Sequence, residues 1–298
     1  MRALLAFALI FAAACCTAQS AGTPPPAIAA KAFLLLDYHS QQTLASVKAD
    51  ERFEPASLTK LMTAYLTFSA LKQKKIELTQ TVPVSERAWK AEGSRMFIEP
   101  RKPVTVDELM RGMIVQSGND ACIALAELIA GGEETFAQMM NREAERLGMR
   151  NTKFMNASGL PDPQHVSTAR DLQVLAAALI RDFPAEYAQY YSQKEYRYNG
   201  ITQVNRNRLL WLDPTVDGVK TGFTEAARHN LYPMLATPHD ASLAERVDLV
   251  RRADVAARLL ARDRRLTPAD RHAIYFAAAL NAWDVVIAAT SLTRDVNA

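Results

Sequence analysis

A chain of 298 residues, 49% of them hydrophobic and 22% charged, has the composition of an ordinary globular protein with one large domain or two small ones. Its formal net charge of +3 is not gathered into basic runs, so a nucleic-acid-binding role has no support. Two of the three cysteines, Cys15 and Cys16, lie in an apolar leader; Cys122 is left without a disulfide partner and reads as a small core residue. The five histidines lack metal-ligand spacing, and no metal or cofactor is expected.

In chain order, Arg2 precedes the apolar run Ala3–Ala14, which suits a secretory leader and is too short to span a bilayer. Residues 1–20 are therefore expected to be a signal peptide, and the protein to be exported to the periplasm or cell envelope. A lipoprotein site at Cys15 or Cys16 is the rival, but only alanines precede them. Ala32–Asp37 and Thr43–Val47 flank His39-Ser-Gln-Gln42 and predict a hairpin.

Glu54-Pro-Ala-Ser-Leu-Thr-Lys-Leu-Met-Thr-Ala-Tyr-Leu-Thr-Phe68 predicts a helix with Pro55 in its first turn. At 3.6 residues per turn, Ser57, Lys60, Leu61, Ala64 and Phe68 share a side, Leu58, Met62 and Tyr65 cover the adjoining face, and the only polar residues opposite are Thr59, Thr63 and Thr67. A helix apolar nearly all round is buried. Burial disfavours an ammonium ion, so Lys60 is a candidate neutral base one turn from the Ser57 hydroxyl, which is a poor nucleophile until a base takes its proton. The spacing alone does not decide the matter, because Ser69-Ala-Leu-Lys72 has it too.

Val106–Val115 and Ala121–Ala130 predict helices on either side of Gln116-Ser-Gly-Asn-Asp120, and Glu133–Leu147 predicts another, closed by Gly148. Thr168-Ala-Arg-Asp171 resembles a capping box before a helix ending near Phe183. Asn199-Gly200 predicts a tight hairpin turn between Glu195–Tyr198 and Ile201–Val204, and Val216–Thr224 predicts a strand. Strands towards both ends with helices between them imply an α+β domain. Beyond it the character changes: all 11 glycines lie at or before Gly222, and the tail is rich in arginine without lysine. Asp240–Asp263 and Thr267–Thr290 predict helices there. Residues 228–298 are expected to be an atypical Arg-rich helical tail, either a fused module or a frame-altered end.

Three short motifs complete the pattern. Ser57-Leu-Thr-Lys60 opens a buried helix, Ser117-Gly-Asn119 lies between helices, and Lys220-Thr-Gly222 lies on a late strand, where Gly222 removes a side chain. This is the order found in penicillin-binding proteins and class A β-lactamases. With Pro55-Ala-Ser-Leu-Thr-Lys-Leu-Met62, Ile114-Val-Gln-Ser-Gly-Asn-Asp-Ala121, Ala157-Ser-Gly-Leu160 and Asp217-Gly-Val-Lys-Thr-Gly-Phe-Thr224, the chain resembles the serine-type D-Ala-D-Ala carboxypeptidases, the low-molecular-mass penicillin-binding proteins, over about residues 28 to 227.

The resemblance implies an antiparallel sheet with helices and a helical subdomain over residues 21–227. It makes Ser57 the nucleophile, Lys60 its base and Ser117 the proton relay to the departing D-alanine. Asn119 would position the peptide, Lys220 and Thr221 would hold its terminal carboxylate, and Gly222 would complete the substrate-binding residues by leaving the backbone open. Backbone N–H groups of Ser57 and Phe223 would form the oxyanion site. The implied partners are peptidoglycan stem peptides ending in D-Ala-D-Ala, with β-lactams as inhibitors. No membrane anchor is recognisable, and membrane association stays open. The tail departs from the family, whose glycine-containing strands after the Lys-Thr-Gly strand are not recognisable here. An inactive or weakly acylating binding protein with a disrupted sheet is therefore the alternative. A serine β-lactamase is disfavoured, because no Glu-x-x-Asn lies between Asn119 and Lys220.

Overall fold

The computed structural model describes residues 30–38, 41, 43–212, 216–224, 228–237 and 283–292. The leader expected over 1–20 and the helix expected over Asp240–Asp263 lie outside these residues.

β1 (Ala30–Asp37) and β2 (Thr43–Val47) form the expected antiparallel hairpin, with Phe33 opposite Val47 and an irregularity at Leu35/Leu36. A 3-10 turn over Ala56–Thr59 leads into α1 (Lys60–Lys72). This helix is buried on every side through Phe68, as its composition demands, and packs against the helices introduced below as α4, α5 and α6.

β3 (Thr81–Val82) and β4 (Val104–Thr105) make a short ribbon, with α2 (Glu86–Trp89) between them in the chain. α3 (Val106–Arg111) starts from a full capping box: Thr105 accepts from Glu108 N–H, and the Glu108 carboxylate accepts from Thr105 N–H. The helix then widens into a π-helical turn over Gly112–Gln116 that stops at Ser117, whose φ is 65°. α4 (Asn119–Ala130) begins two residues earlier than its apolar periodicity indicates, so Asn119 and Asp120 sit in its first turn. α5 (Glu133–Leu147) closes at Gly148.

α6 (Ala169–Asp182) is capped by Thr168, which accepts from Asp171 N–H; Asp171 turns its carboxylate to Asn151 and Thr152 instead, so the capping box is only half made. α7 (Pro184–Tyr190) follows, and its Tyr190 stacks on Phe68 of α1 at 5.8 Å between ring centroids. β5 (Glu195–Tyr198) and β6 (Ile201–Val204) pair across Asn199 and Gly200, both at positive φ, as an Asn-Gly hairpin requires. α8 (Leu209–Leu212) precedes β7 (Val216–Thr224).

The tail departs from the expectation drawn from its composition. β8 (Arg228–Thr237) pairs antiparallel with β7, placing Tyr232 opposite Lys220 and Asn230 opposite Gly222. β9 (Trp283–Leu292) covers residues expected to end a helix, and runs parallel to both β1 and β8. Among the described residues the main sheet has the order β2-β1-β9-β8-β7. It is mixed rather than antiparallel throughout, and β7 does not lack ladder partners. Two features hid these strands. Pro233 sits inside β8, where a proline argues against a strand, and the apolar run of β9 suits a buried helix as well as a strand.

Candidate active site

The site forms where α1, the turn before α4 and β7 converge. Ser57 lies in the 3-10 turn, directly after Ala56, which is held at φ 49°. Lys60 follows one turn later, 2% exposed, with its Nζ 2.9 Å from Ser57 Oγ. The ammonium head also donates to Asn119 Oδ1 at 2.8 Å and to the Ser158 carbonyl at 2.6 Å. Burial lowers the Lys60 pKa to about 8, and repulsion from the Arg206 guanidinium acts in the same direction. Lys60 is thus a buried amine in contact with a hydroxyl, as the helix pattern implied. Ser69, the competing serine, instead accepts a hydrogen bond from the exposed side chain of Gln73.

On the opposite side, Lys220 of β7 is 3% exposed and donates to Ser117 Oγ at 3.0 Å and to the Thr221 carbonyl at 2.9 Å. Burial holds the Lys220 pKa well below the ordinary lysine value, with Lys60 and Arg206 adding repulsion. Thr221 is half-buried, opposite Leu231 in the β7–β8 register, and Phe223 stands opposite His229. Gly222 is the point of contact with the nucleophile's turn: a Cβ there would lie 3.1 Å from Ser57 N and 3.2 Å from the Pro55 carbonyl. The structure therefore brings Ser57, Lys60, Ser117, Asn119, Lys220, Thr221 and Gly222 together, with Phe223 one residue further along the same strand.

The turn that carries Ser117 and Asn119 is itself held from behind. Asp120 is fully buried, and its carboxylate accepts from the backbone N–H groups of Met96, Phe97, Ile98 and Ala121. Burial pushes its pKa above the ordinary carboxylate value, against the pull of those four donors. Asn119 donates through Nδ2 to Glu92 O at 2.7 Å, which orients its oxygen towards Lys60. Cys122, buried one turn into α4, donates weakly to Gly118 O, and burial pushes its thiol pKa up to about 12. Among the described residues, no group of three His, Cys, Asp or Glu side chains converges as a metal site.

A family model described as D-alanyl-D-alanine carboxypeptidase matches residues 18–245. The chain belongs to the D-alanyl-D-alanine carboxypeptidase family. It is 46% identical over 233 residues to D-alanyl-D-alanine carboxypeptidase DacC of Escherichia coli (76% of this chain, 58% of the relative). It is 44% identical over 227 residues to DacA of Haemophilus influenzae (74% of this chain, 57% of the relative). The chain thus spans less than two thirds of these relatives' length. Among solved structures, penicillin binding protein 5 from Haemophilus influenzae superposes with a TM-score of 0.68 at 45% identity, covering 70% of this chain and 61% of that one. Penicillin binding protein 6B from Escherichia coli gives 0.68 at 43% identity, covering 71% and 69%.

Three further residues in or beside the motifs take part in the site, and the sequence assigns them no role. Arg206 donates to Gln116 O at 3.1 Å, beside the Ser117 turn, and places a third cation near the two lysines. Its only sequence signal is the run Asn205-Arg206-Asn207 between a hairpin and a strand. Asp120 reads in the sequence as one residue of a turn, whereas in the structure it anchors that turn. Ser158 contributes a backbone carbonyl, for which side-chain identity gives no signal.

Proposed function

We propose that the chain is an exported serine D,D-carboxypeptidase that removes the terminal D-alanine from peptidoglycan pentapeptides through an acyl-enzyme, and that β-lactams acylate the same serine. The observation that carries this reading is the buried Lys60 amine 2.9 Å from Ser57 Oγ, faced by the Ser117–Lys220 pair.

Ser57 Oγ attacks the carbonyl of the penultimate D-alanine as its proton passes to Lys60. The developing oxyanion lies at the backbone N–H groups of Ser57 and Phe223, each such donor commonly contributing about 3 kcal/mol. The proton taken up by Lys60 is relayed through the Ser117 hydroxyl to the departing amine of D-alanine, and the C–N bond breaks, leaving Lys60 neutral. Lys220 and Thr221 hold the terminal carboxylate, for which a cation beside a hydroxyl is well suited; Gly222 leaves the backbone open to the peptide. A carboxylate beside Lys220 also restores the ammonium form that burial alone disfavours. Water then attacks the ester as Lys60 accepts its proton, and that proton returns to Ser57 Oγ as the ester bond breaks, freeing Ser57 and neutral Lys60.

Export rests on the apolar leader, and location in the envelope follows from the substrate. The test is incubation with a fluorescent penicillin, followed by mass spectrometry of the labelled peptide and assay of D-alanine release from a D-Ala-D-Ala peptide. A lasting adduct on Ser57, lost in Ser57→Ala and retained in Ser69→Ala, together with D-alanine release, is expected. An adduct on Ser69 overturns the assignment of the nucleophile. Labelling without D-alanine release points to a binding protein, and rapid turnover of the penicillin to a β-lactamase.

A further inference from the structure

Lys60 Nζ has three oxygen neighbours, and they are not equivalent. Asn119 Oδ1 and Ser158 O only accept, whereas the Ser57 hydroxyl can donate. A neutral amine has two N–H bonds and one lone pair. With one N–H on Asn119 Oδ1 and the other on Ser158 O, the lone pair is left facing the Ser57 proton. Remove either acceptor, and an N–H competes for the Ser57 oxygen while the lone pair turns away from the proton it must take.

The Ser158 carbonyl is aimed by a single side chain. In a planar trans peptide the carbonyl and the N–H point in opposite directions. The Ser158–Gly159 peptide places its carbonyl on Lys60 and its Gly159 N–H on Asn156 Oδ1 at 2.7 Å. The same Asn156 oxygen also accepts from Ser158 N–H at 3.2 Å and Leu160 N–H at 3.1 Å. The Ala157–Ser158 peptide, by contrast, has a second hold independent of Asn156, since its Ala157 carbonyl accepts from Thr63 Oγ1 at 2.6 Å, and the Asn156–Ala157 peptide donates its Ala157 N–H to Glu133 Oε1 at 3.0 Å. Asn156 therefore controls the one peptide that faces the base.

We propose that Asn156 is a positioning residue of the reaction: its side-chain oxygen holds the Ser158–Gly159 peptide so that the Ser158 carbonyl takes one N–H of Lys60 and directs the lone pair to Ser57. The inference rests on the proposed function, in which Ser57 is acylated.

The experiment is rapid-mixing acylation of the full chain by a fluorescent penicillin at pH 9, resolving the non-covalent dissociation constant from the first-order acylation rate. Asn156→Ala is expected to lower the acylation rate by about 10- to 100-fold, within the range that a positioned general base supplies, while the dissociation constant stays within about twofold. Asn156→Asp keeps an oxygen for the three N–H donors but loses the Nδ2 donor to Leu160 O at 2.9 Å, and is expected to recover part of the rate, to at least about threefold above Asn156→Ala. An Asn156→Ala rate equal to wild type overturns the inference, as does a change confined to the dissociation constant. An Asn156→Asp rate as low as that of Asn156→Ala does the same, because the loop would then matter for reasons other than its acceptor. Should Asn156→Ala fail to fold, Asn156→Ser is measured instead, with an intermediate rate expected and a wild-type rate overturning the inference. Wild-type protein that leaves Ser57 unlabelled overturns the proposed function itself, visibly and without reference to any variant, and this inference falls with it.

Discussion

Lys220 Nζ donates to Ser117 Oγ at 3.0 Å across 103 positions of sequence, while Asn119, two residues after Ser117, accepts from Lys60. One short turn thus bridges two buried lysines, each already in contact with a serine hydroxyl. The arrangement places two amines with weakened hold on their protons on either side of the Ser117–Asn119 turn.

Lys60→Arg should be nearly as damaging as Lys60→Ala. Arginine keeps the charge and much of the volume but does not release its proton at working pH. Acylation by a fluorescent penicillin is expected to fall by more than about 100-fold, equivalent to about 2.7 kcal/mol of barrier. A rate within about tenfold of wild type removes Lys60 from the role of base.

The pH dependence follows from the same group. In the proposed mechanism Lys60 acts as base only when neutral, and burial brings its pKa to about 8. The acylation rate constant should therefore rise with pH through about 8 and fall below it. Arg206 contributes repulsion that lowers the Lys60 pKa, so Arg206→Gln should move this limb to higher pH. A limb that stays in place, or moves down, contradicts the electrostatic link.

His165 should make the fold acid-sensitive. It is 2% exposed, lies 2.9 Å from Thr59 Oγ1, and burial lowers its pKa from 6.5 to about 4. The unfolded chain takes up this proton near 6.5 while the folded chain resists until about 4, so the unfolded state binds more protons in between. Stability present above about 6.5 is accordingly lost as pH falls towards 4, by up to about 3 kcal/mol. Chemical unfolding of wild type and His165→Gln between pH 7 and 4 is the check. Parallel curves would show that His165 carries no such contribution.

Two glycines at similar positive φ should respond differently to alanine. A Cβ on Gly159, at φ 84°, would lie 1.8 Å from the Ala56 carbonyl oxygen, a backbone atom next to Ser57. A Cβ on Gly148, at φ 86°, would meet nothing within 4 Å. Gly148→Ala should cost only the left-handed backbone penalty, about 1–2 kcal/mol, and leave acylation unchanged. Gly159→Ala should lower the melting temperature further and abolish acylation, because the turn presenting Ser57 must move. Equal effects on both activities would show that the close approach to Ala56 is not needed.

What the sequence by itself determined is what depends on local spacing and turn chemistry. The i, i+3 relation of Ser57 and Lys60, the buried character of α1, the Asn199-Gly200 hairpin and the stop at Gly148 follow from residues a few positions apart. The three motifs were legible as a set through family resemblance, although their members lie 59 and 103 positions apart where they bond. Tertiary structure alone decided the rest. The weakened hold of Lys220 on its proton, through desolvation and repulsion from Lys60 and Arg206, and the Arg206 repulsion that adds to the burial of Lys60, need the packed core to exist. The Ser158 carbonyl is a backbone atom that every residue type possesses, so only its aim distinguishes it. Trp283–Leu292 is apolar enough for helix or strand, and it became a strand because β1 and β8 offer ladder partners on both sides. Local propensity was too evenly balanced there to choose; hydrogen-bond pairing at long range made the choice.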